Sequence, residues 1–182
     1  MRINGLILAG GTLYDKLRDR TQVTNEALIP LGQRFMVEYV AQAIKKSDSV
    51  SKIAIVGPVD QLRDKFKDDP DIVLAPGGDT VALSVVNGLG VLPESDYVLI
   101  SSSDIPLISG QSLEGFISAC KEAGPADIYY PIVERSLSER TYPGAQRTFV
   151  RLTDGSFTGG NVFLLRPEIV SSRVKIADEL IA

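Results

Sequence analysis

Short apolar runs that alternate with segments of helical period constrain this chain more than any other feature. Ile3 to Ala9, Ile53 to Val56, Ile72 to Ala75 and Tyr97 to Ile100 are brief, rich in β-branched residues and bounded by turn residues. That is the pattern of strands buried on both faces. Between them, Met36, Val40, Ala43 and Ile44 share one face of a helix, and Leu62 and Phe66 one face of a shorter helix. Ala82, Val86 and Leu89 line a third, which Asp79 or Thr80 would cap. Leu113, Phe116, Ile117 and Cys120 recur at helical spacing between a Ser109 cap and a Gly124 stop. Strand–helix alternation of this kind predicts right-handed βαβ units: an α/β fold of three layers around a mostly parallel, doubly wound sheet.

The pattern changes after Pro131. Residues 134–146 are charged and without apolar period, and read as a long loop. Thr148, Val150 and Leu152 alternate with Arg147, Phe149 and Arg151, and Asp154-Gly155 reads as the turn of a late antiparallel hairpin leading into Phe157. A strand from Val162 to Leu165 and a helix running from Pro167 to Ala182 close the sequence. No linker or repeat interrupts residues 1–182, so a single domain is expected, and that length suffices for one core.

Histidine is absent. Imidazole bases, Ser-His-Asp and Cys-His catalysis and His-ligated zinc are thereby excluded, leaving carboxylates, hydroxyls, amides, Lys/Arg and an oxygen-ligated metal. Cys120 is the single cysteine, so neither an internal disulfide nor a cysteine-cluster metal site can form; its apolar helix face marks it as a core residue. A formal charge of −4 provides no basic field for a nucleic-acid backbone. No apolar run approaches the roughly 18 residues of a membrane span, and the first strand pattern starts without a signal-peptide layout. A cytoplasmic protein is expected, compatible with a homo-oligomer.

In open α/β sheets ligands bind beyond the carboxyl ends of the strands. After the first strand comes Leu8-Ala9-Gly10-Gly11-Thr12, whose glycines permit close backbone approach and offer N–H groups to phosphate oxygens. It is neither a Walker A loop nor a complete dinucleotide fingerprint, and a ligand-free tight turn is the alternative. After the third strand, Pro76-Gly77-Gly78-Asp79-Thr80 opens a helix, either as an anion site or as a simple capped turn. After the fourth, Ser101-Ser102-Ser103-Asp104-Ile105-Pro106 sets a carboxylate where a Mg²⁺ ligand would sit, or where an Asp caps a turn.

Taken together, the LAGG turn, Asn25-Glu26-Ala27-Leu28-Ile29-Pro30-Leu31-Gly32, Asp104-Ile105-Pro106 and Thr158-Gly159-Gly160-Asn161 resemble the MobA-like nucleotidyltransferases. That group has the glycosyltransferase-A-type fold of nucleotide-diphospho-sugar transferases. The resemblance implies transfer of an NMP from an NTP to a small phosphorylated acceptor, with Mg²⁺ and release of pyrophosphate. It gives Leu8, Ala9, Gly10, Gly11, Gly78 and Asp79 to the nucleotide. Asp104 and Asn161 become the metal ligands and catalytic residues. Arg135, Arg140, Arg147 and Arg151, around the late loop and hairpin, are candidates for holding the acceptor phosphate, against the alternative of a solvated surface.

One residue departs from the pattern. Where the family carries a lysine that neutralises the triphosphate, this chain has Glu26. Charge reversal there is expected to cost transition-state stabilisation, unless Lys16, Arg18 or Arg20 in the preceding loop substitutes. A nucleotide-binding or regulatory protein of the same fold is therefore the second reading. A glycosyltransferase is disfavoured because Pro106 stands where an Asp-x-Asp motif would carry its second acid.

Overall fold

A computed structural model describes residues 1–13, 21 and 23–170. Its centre is a six-stranded sheet. Strand β1 (Ile3–Leu8) lies between β4 (Val50–Gly57) and β6 (Tyr97–Ser102), parallel to both, and β5 (Ile72–Pro76) extends the parallel set beyond β4. On the other side β11 (Val162–Leu165) joins β6 antiparallel, and β7 (Ile128–Tyr129) forms the edge beyond it. The order β5-β4-β1-β6-β11-β7 has the predicted mostly parallel core.

Side chains alternate across a strand, and the core divides accordingly. Ile3, Ile7, Ile53, Ile55, Leu99 and Leu164 face one layer, where they meet Val37, Val40 and Ile44 of α1 (Met36–Lys45) and Leu113 and Ile117 of α4 (Gly110–Glu122). Leu6, Ala54, Val56, Val98, Ile100 and Leu165 face the other, against Val85 of α3 (Val81–Leu89) and Val170. Helix α2 (Val59–Phe66) buries Leu62 and Phe66, as its spacing predicts. The caps are also as expected. Thr80 Oγ1 accepts from Leu83 N and Ser109 Oγ from Ser112 N, and Gly124 ends α4 at a φ of 83°. In α3, Val85 is fully buried, while Val86 and Leu89 are half-buried against the same cluster.

Two expectations need correction. Residues 134–146 are not one loop: β8 (Ile132–Glu134) runs into a short helix α5 (Arg135–Thr141). Only Ser138 of this helix is buried, so no apolar period announces it; an Arg135–Glu139 pair at 2.7 Å spans its turn instead. Before α1, the segment Asn25 to Gly32 contains a 3₁₀ turn (Glu26–Leu28). A two-stranded hairpin follows, β2 (Pro30–Leu31) and β3 (Arg34–Phe35), turning at Gly32 with a φ of 64°. The late hairpin is present as β9 (Val150–Leu152) and β10 (Gly155–Gly159). Its turn is Thr153-Asp154, with Gly155 already paired to Leu152, and β8 completes a small antiparallel sheet. The described part of the last helix starts at Pro167; its predicted extension to Ala182 lies outside the described residues.

At the end of the sheet where β4 starts, Glu114 of α4 fastens the α1–β4 loop. Its carboxylate accepts from the hydroxyl of Ser47 and from both the N–H and the hydroxyl of Ser49, the latter two at 2.9 Å. The Ser47 bond, then those from Ser49, hold the carboxyl below the usual glutamate range against the upward push of burial. Glu114→Gln should therefore lower stability at neutral pH by about 1 kcal/mol. A depressed carboxyl pKa stabilises the fold above the unfolded-state value of about 4.3. The deficit should close as the pH falls through that value and below, measured by denaturant unfolding at a series of pH values.

Candidate active site

Topology brings most of the predicted residues to one edge. The parallel strands β5, β4, β1 and β6 end together, with Leu8 registered against Val56 and Ser102, and Gly57 against Pro76. Because β11 runs antiparallel, its start lies beside the end of β6, where Ser102 N donates to Asn161 O at 3.1 Å. Ser103 N donates to Leu8 O, also at 3.1 Å, so the glycine turn and the Asp104 loop are joined by backbone. Leu8 is half-buried, Ala9 fully buried, and Gly10, Gly11, Asp104 and Asn161 are exposed. Gly78 and the exposed Asp79 stand at the same edge beyond β5, two strands from β1.

The glycines differ in what they are for. A Cβ on Gly57 would come within 2.6 Å of Ala9 O, and one on Gly78 within 2.5 Å of Leu83 Cβ, so packing alone requires glycine at both. Gly78 N also donates to Ser84 Oγ at 2.9 Å, which closes this turn onto α3. A Cβ on Gly10 would meet no described atom within 4 Å, and the residue does not have a positive φ. Neither packing nor conformation asks for glycine there. Gly57, not anticipated from the sequence, had a readable signal: it ends a buried strand just as Gly10 follows one.

Glu26 lies beside the turn, with Oε2 3.6 Å from the Cβ position of Gly11, and its backbone N–H donates to Gly11 O at 3.4 Å. Lys16, Arg18 and Arg20 lie outside the described residues. Asp104 accepts a hydrogen bond from the Ser102 hydroxyl. Among the described residues no three acidic or cysteine side chains converge as a metal cage. The oxygen donors at this edge, Asp104, the Ser102 hydroxyl and the Asn161 amide, nevertheless suit Mg²⁺, which takes one or two carboxylates and fills its octahedron with water and substrate phosphate. Cys120 is buried elsewhere in the core, and burial pushes its thiol up, away from the reactive thiolate.

The four arginines separate. Arg147 is fixed: Nε donates to Thr158 Oγ1 at 3.3 Å and Nη2 to Gly159 O at 3.0 Å, two residues before Asn161. Arg135 pairs with Glu139 and lies over Phe149, 5.2 Å from its centroid. Arg140 stands on α5, and Arg151 on β9 opposite Ser156. The Thr158-Gly159-Gly160-Asn161 segment is packed against Tyr130 and Pro131, whose atoms a Cβ on either glycine would strike.

A parallel sheet with an antiparallel strand beside β6, and a small antiparallel sheet inserted before it, defines the nucleotide-diphospho-sugar transferase type of fold. The chain belongs to the family of the MobA-like NTP transferase domain, which matches residues 5–166. It is similar to the 2-C-methyl-D-erythritol 4-phosphate cytidylyltransferase of Streptomyces coelicolor, 33% identical over 110 residues, covering 56% of this chain and 41% of the relative. The corresponding protein of Klebsiella pneumoniae is 27% identical over 119 residues, covering 64% and 50%. The chain thus spans half or less of the length of these relatives. Among solved structures, a hypothetical transferase from Thermus thermophilus superposes with a TM-score of 0.79 at 27% identity, covering 100% of this chain and 72% of that one. A CMP:2-keto-3-deoxy-manno-octonic acid synthetase, solved with CTP, has a TM-score of 0.72 at 10% identity, covering 96% and 78%, and shares the fold.

Stability measurements test the division among the glycines. Gly57→Ala should cost about 1–3 kcal/mol through overpacking, whereas Gly10→Ala should stay within about 0.5 kcal/mol of the parent in denaturant unfolding.

Proposed function

We propose that this protein is a Mg²⁺-dependent nucleotidyltransferase that moves an NMP from an NTP to a small phosphorylated acceptor. The observation that carries this reading is the junction at the sheet edge. Gly10 and Gly11, whose N–H groups have no hydrogen-bond partner among the described residues, sit one backbone bond from the loop that presents Asp104. Consecutive free N–H groups suit phosphate oxygens, and a carboxylate beside them suits a phosphate-bound cation. The name of the Streptomyces coelicolor relative, a 2-C-methyl-D-erythritol 4-phosphate cytidylyltransferase, agrees with a nucleotide donor.

In the proposed reaction an oxygen of the acceptor phosphate attacks the α-phosphorus of the NTP. The bond from that phosphorus to the bridging oxygen of the β-phosphate breaks, and pyrophosphate leaves with the electron pair. No general base is required, because a phosphate monoester is already ionised at neutral pH. The glycine turn orients the triphosphate, Gly78 and Asp79 border the nucleoside end, and Asp104 with Asn161 would hold Mg²⁺. When bound, the ion neutralises charge developing on the phosphates. Arg147, anchored at two atoms and with no further hydrogen bond among the described residues, is the arginine best placed for the acceptor phosphate; rigid positioning of this kind is the main source of rate in phosphoryl transfer.

Glu26 supports the second reading, a nucleotide-binding protein with impaired turnover, because its carboxylate lies beside Gly11 where a triphosphate needs a cation. Two variants separate the readings. Asp104→Ala should leave the melting temperature near that of the parent and abolish Mg²⁺-dependent pyrophosphate release; retained activity would remove Asp104 from the mechanism. Glu26→Lys should raise turnover severalfold if the native residue limits it, and lower or spare it if the chain is already tuned to glutamate. An NTP held at 100 times its Kd should stabilise the parent by about 2.7 kcal/mol, an upward shift of about 5–10 °C for a chain of this size.

A further inference from the structure

The backbone of the glycine turn is held from behind by one side chain. Asn25 Nδ2 donates to Ala9 O at 2.8 Å, while Asn25 Oδ1 accepts from Ala27 N, also at 2.8 Å. Both ends of the amide are engaged, and they join two segments sixteen residues apart. Ala9 is fixed on its other side as well: its N–H donates to Val56 O at 2.8 Å, and Gly57 packs against its carbonyl. Next along, Glu26 N takes Gly11 O at 3.4 Å.

The peptide bonds of the described residues are trans. In a trans peptide the C=O and N–H of one unit point in opposite directions. Capture of Ala9 O by Asn25 therefore turns the Gly10 N–H away from residue 25, and Gly10 itself is exposed. We infer that Asn25 is a positioning residue that aims the Gly10 N–H at the nucleotide's phosphates. This rests on the proposed function for what binds, but it adds a residue and a mechanism. Asparagine serves both bonds: aspartate keeps the acceptor for Ala27 N–H but has no donor for Ala9 O, and serine has one hydroxyl oxygen in place of the amide's separate donor and acceptor atoms. With that donor lost, the Ala9–Gly10 peptide is free to rotate and its N–H is no longer preset.

The test uses Asn25→Ser, which preserves an N-cap acceptor without adding charge beside a phosphate. Binding of ATP, CTP, GTP and UTP with Mg²⁺, each beside its nucleoside, is measured by calorimetry or NMR titration. The variant should melt within a few degrees of the parent. Its preference for the triphosphate over the matching nucleoside should fall about tenfold, the size of one charge-assisted hydrogen bond. A merely structural Asn25 would weaken both ligands alike and leave that ratio unchanged, which would overturn the inference while the nucleotide reading survives. If the parent binds no NTP, the inference falls together with that reading. Should the variant fail to fold, the parent still decides. A downfield shift of the Gly10 amide proton on adding NTP but not nucleoside supports the role, and no such shift contradicts it.

Discussion

Everything in this molecule is referred to the double burial of β1. Its residues Ile3, Leu6 and Ile7 are fully buried, alternately against the two helical layers, and both of its edges are saturated by β4 and β6. A strand enclosed on four sides cannot slip by one residue without turning its apolar set to the wrong face. Its register fixes where β4 and β6 end, and so fixes Gly57, the glycine turn and Asp104 against one another. The site has little structure of its own; it inherits its geometry from the register of the sheet.

The two ends of the sheet are built for different work. Where the strands begin, several polar groups are engaged, while Arg166 Nε is buried without a hydrogen-bond partner among the described residues. Arg2 N donates to Asp96, Tyr97 OH to Ala126 O, and Arg166 lies over the Tyr97 ring and 3.6 Å from Asp127. A cavity of about 850 Å³ opens there, lined by Tyr97, Cys120, Tyr129 and Arg166 among others. Size alone would favour it as a ligand site. The chemistry favours the opposite edge, where Gly10 and Gly11 present N–H groups that no described residue uses and Asp104 is exposed.

The sequence made some of this legible and hid the rest for identifiable reasons. Strands β1, β4, β5 and β6 were readable because β-branched runs buried on both faces leave continuous apolar blocks. The β2–β3 hairpin was not, because two-residue strands are too short to show a period. Helix α5 was hidden because its one buried residue is a serine, and its stabilising contacts are ionic and aromatic. Among the site residues, Gly10, Gly78 and Asp104 were found by their place after strands. The sequence treats Gly10 and Gly78 as equals, while the structure shows that one is required by Leu83 and the other by nothing in the described fold. The role of Asn25 is invisible in the sequence, since its partner Ala9 is distant along the chain and only the tertiary fold joins them.

Hydrogen–deuterium exchange with and without NTP and Mg²⁺ tests the account most directly, because it reports on every segment at once. Protection should be confined to the carboxyl edge: residues 9–13, 25–28, 76–80 and 102–106, together with the segment around Asn161. Protection absent from these segments, or gathered instead around Tyr97, Tyr129 and Arg166 at the opposite end, would contradict it.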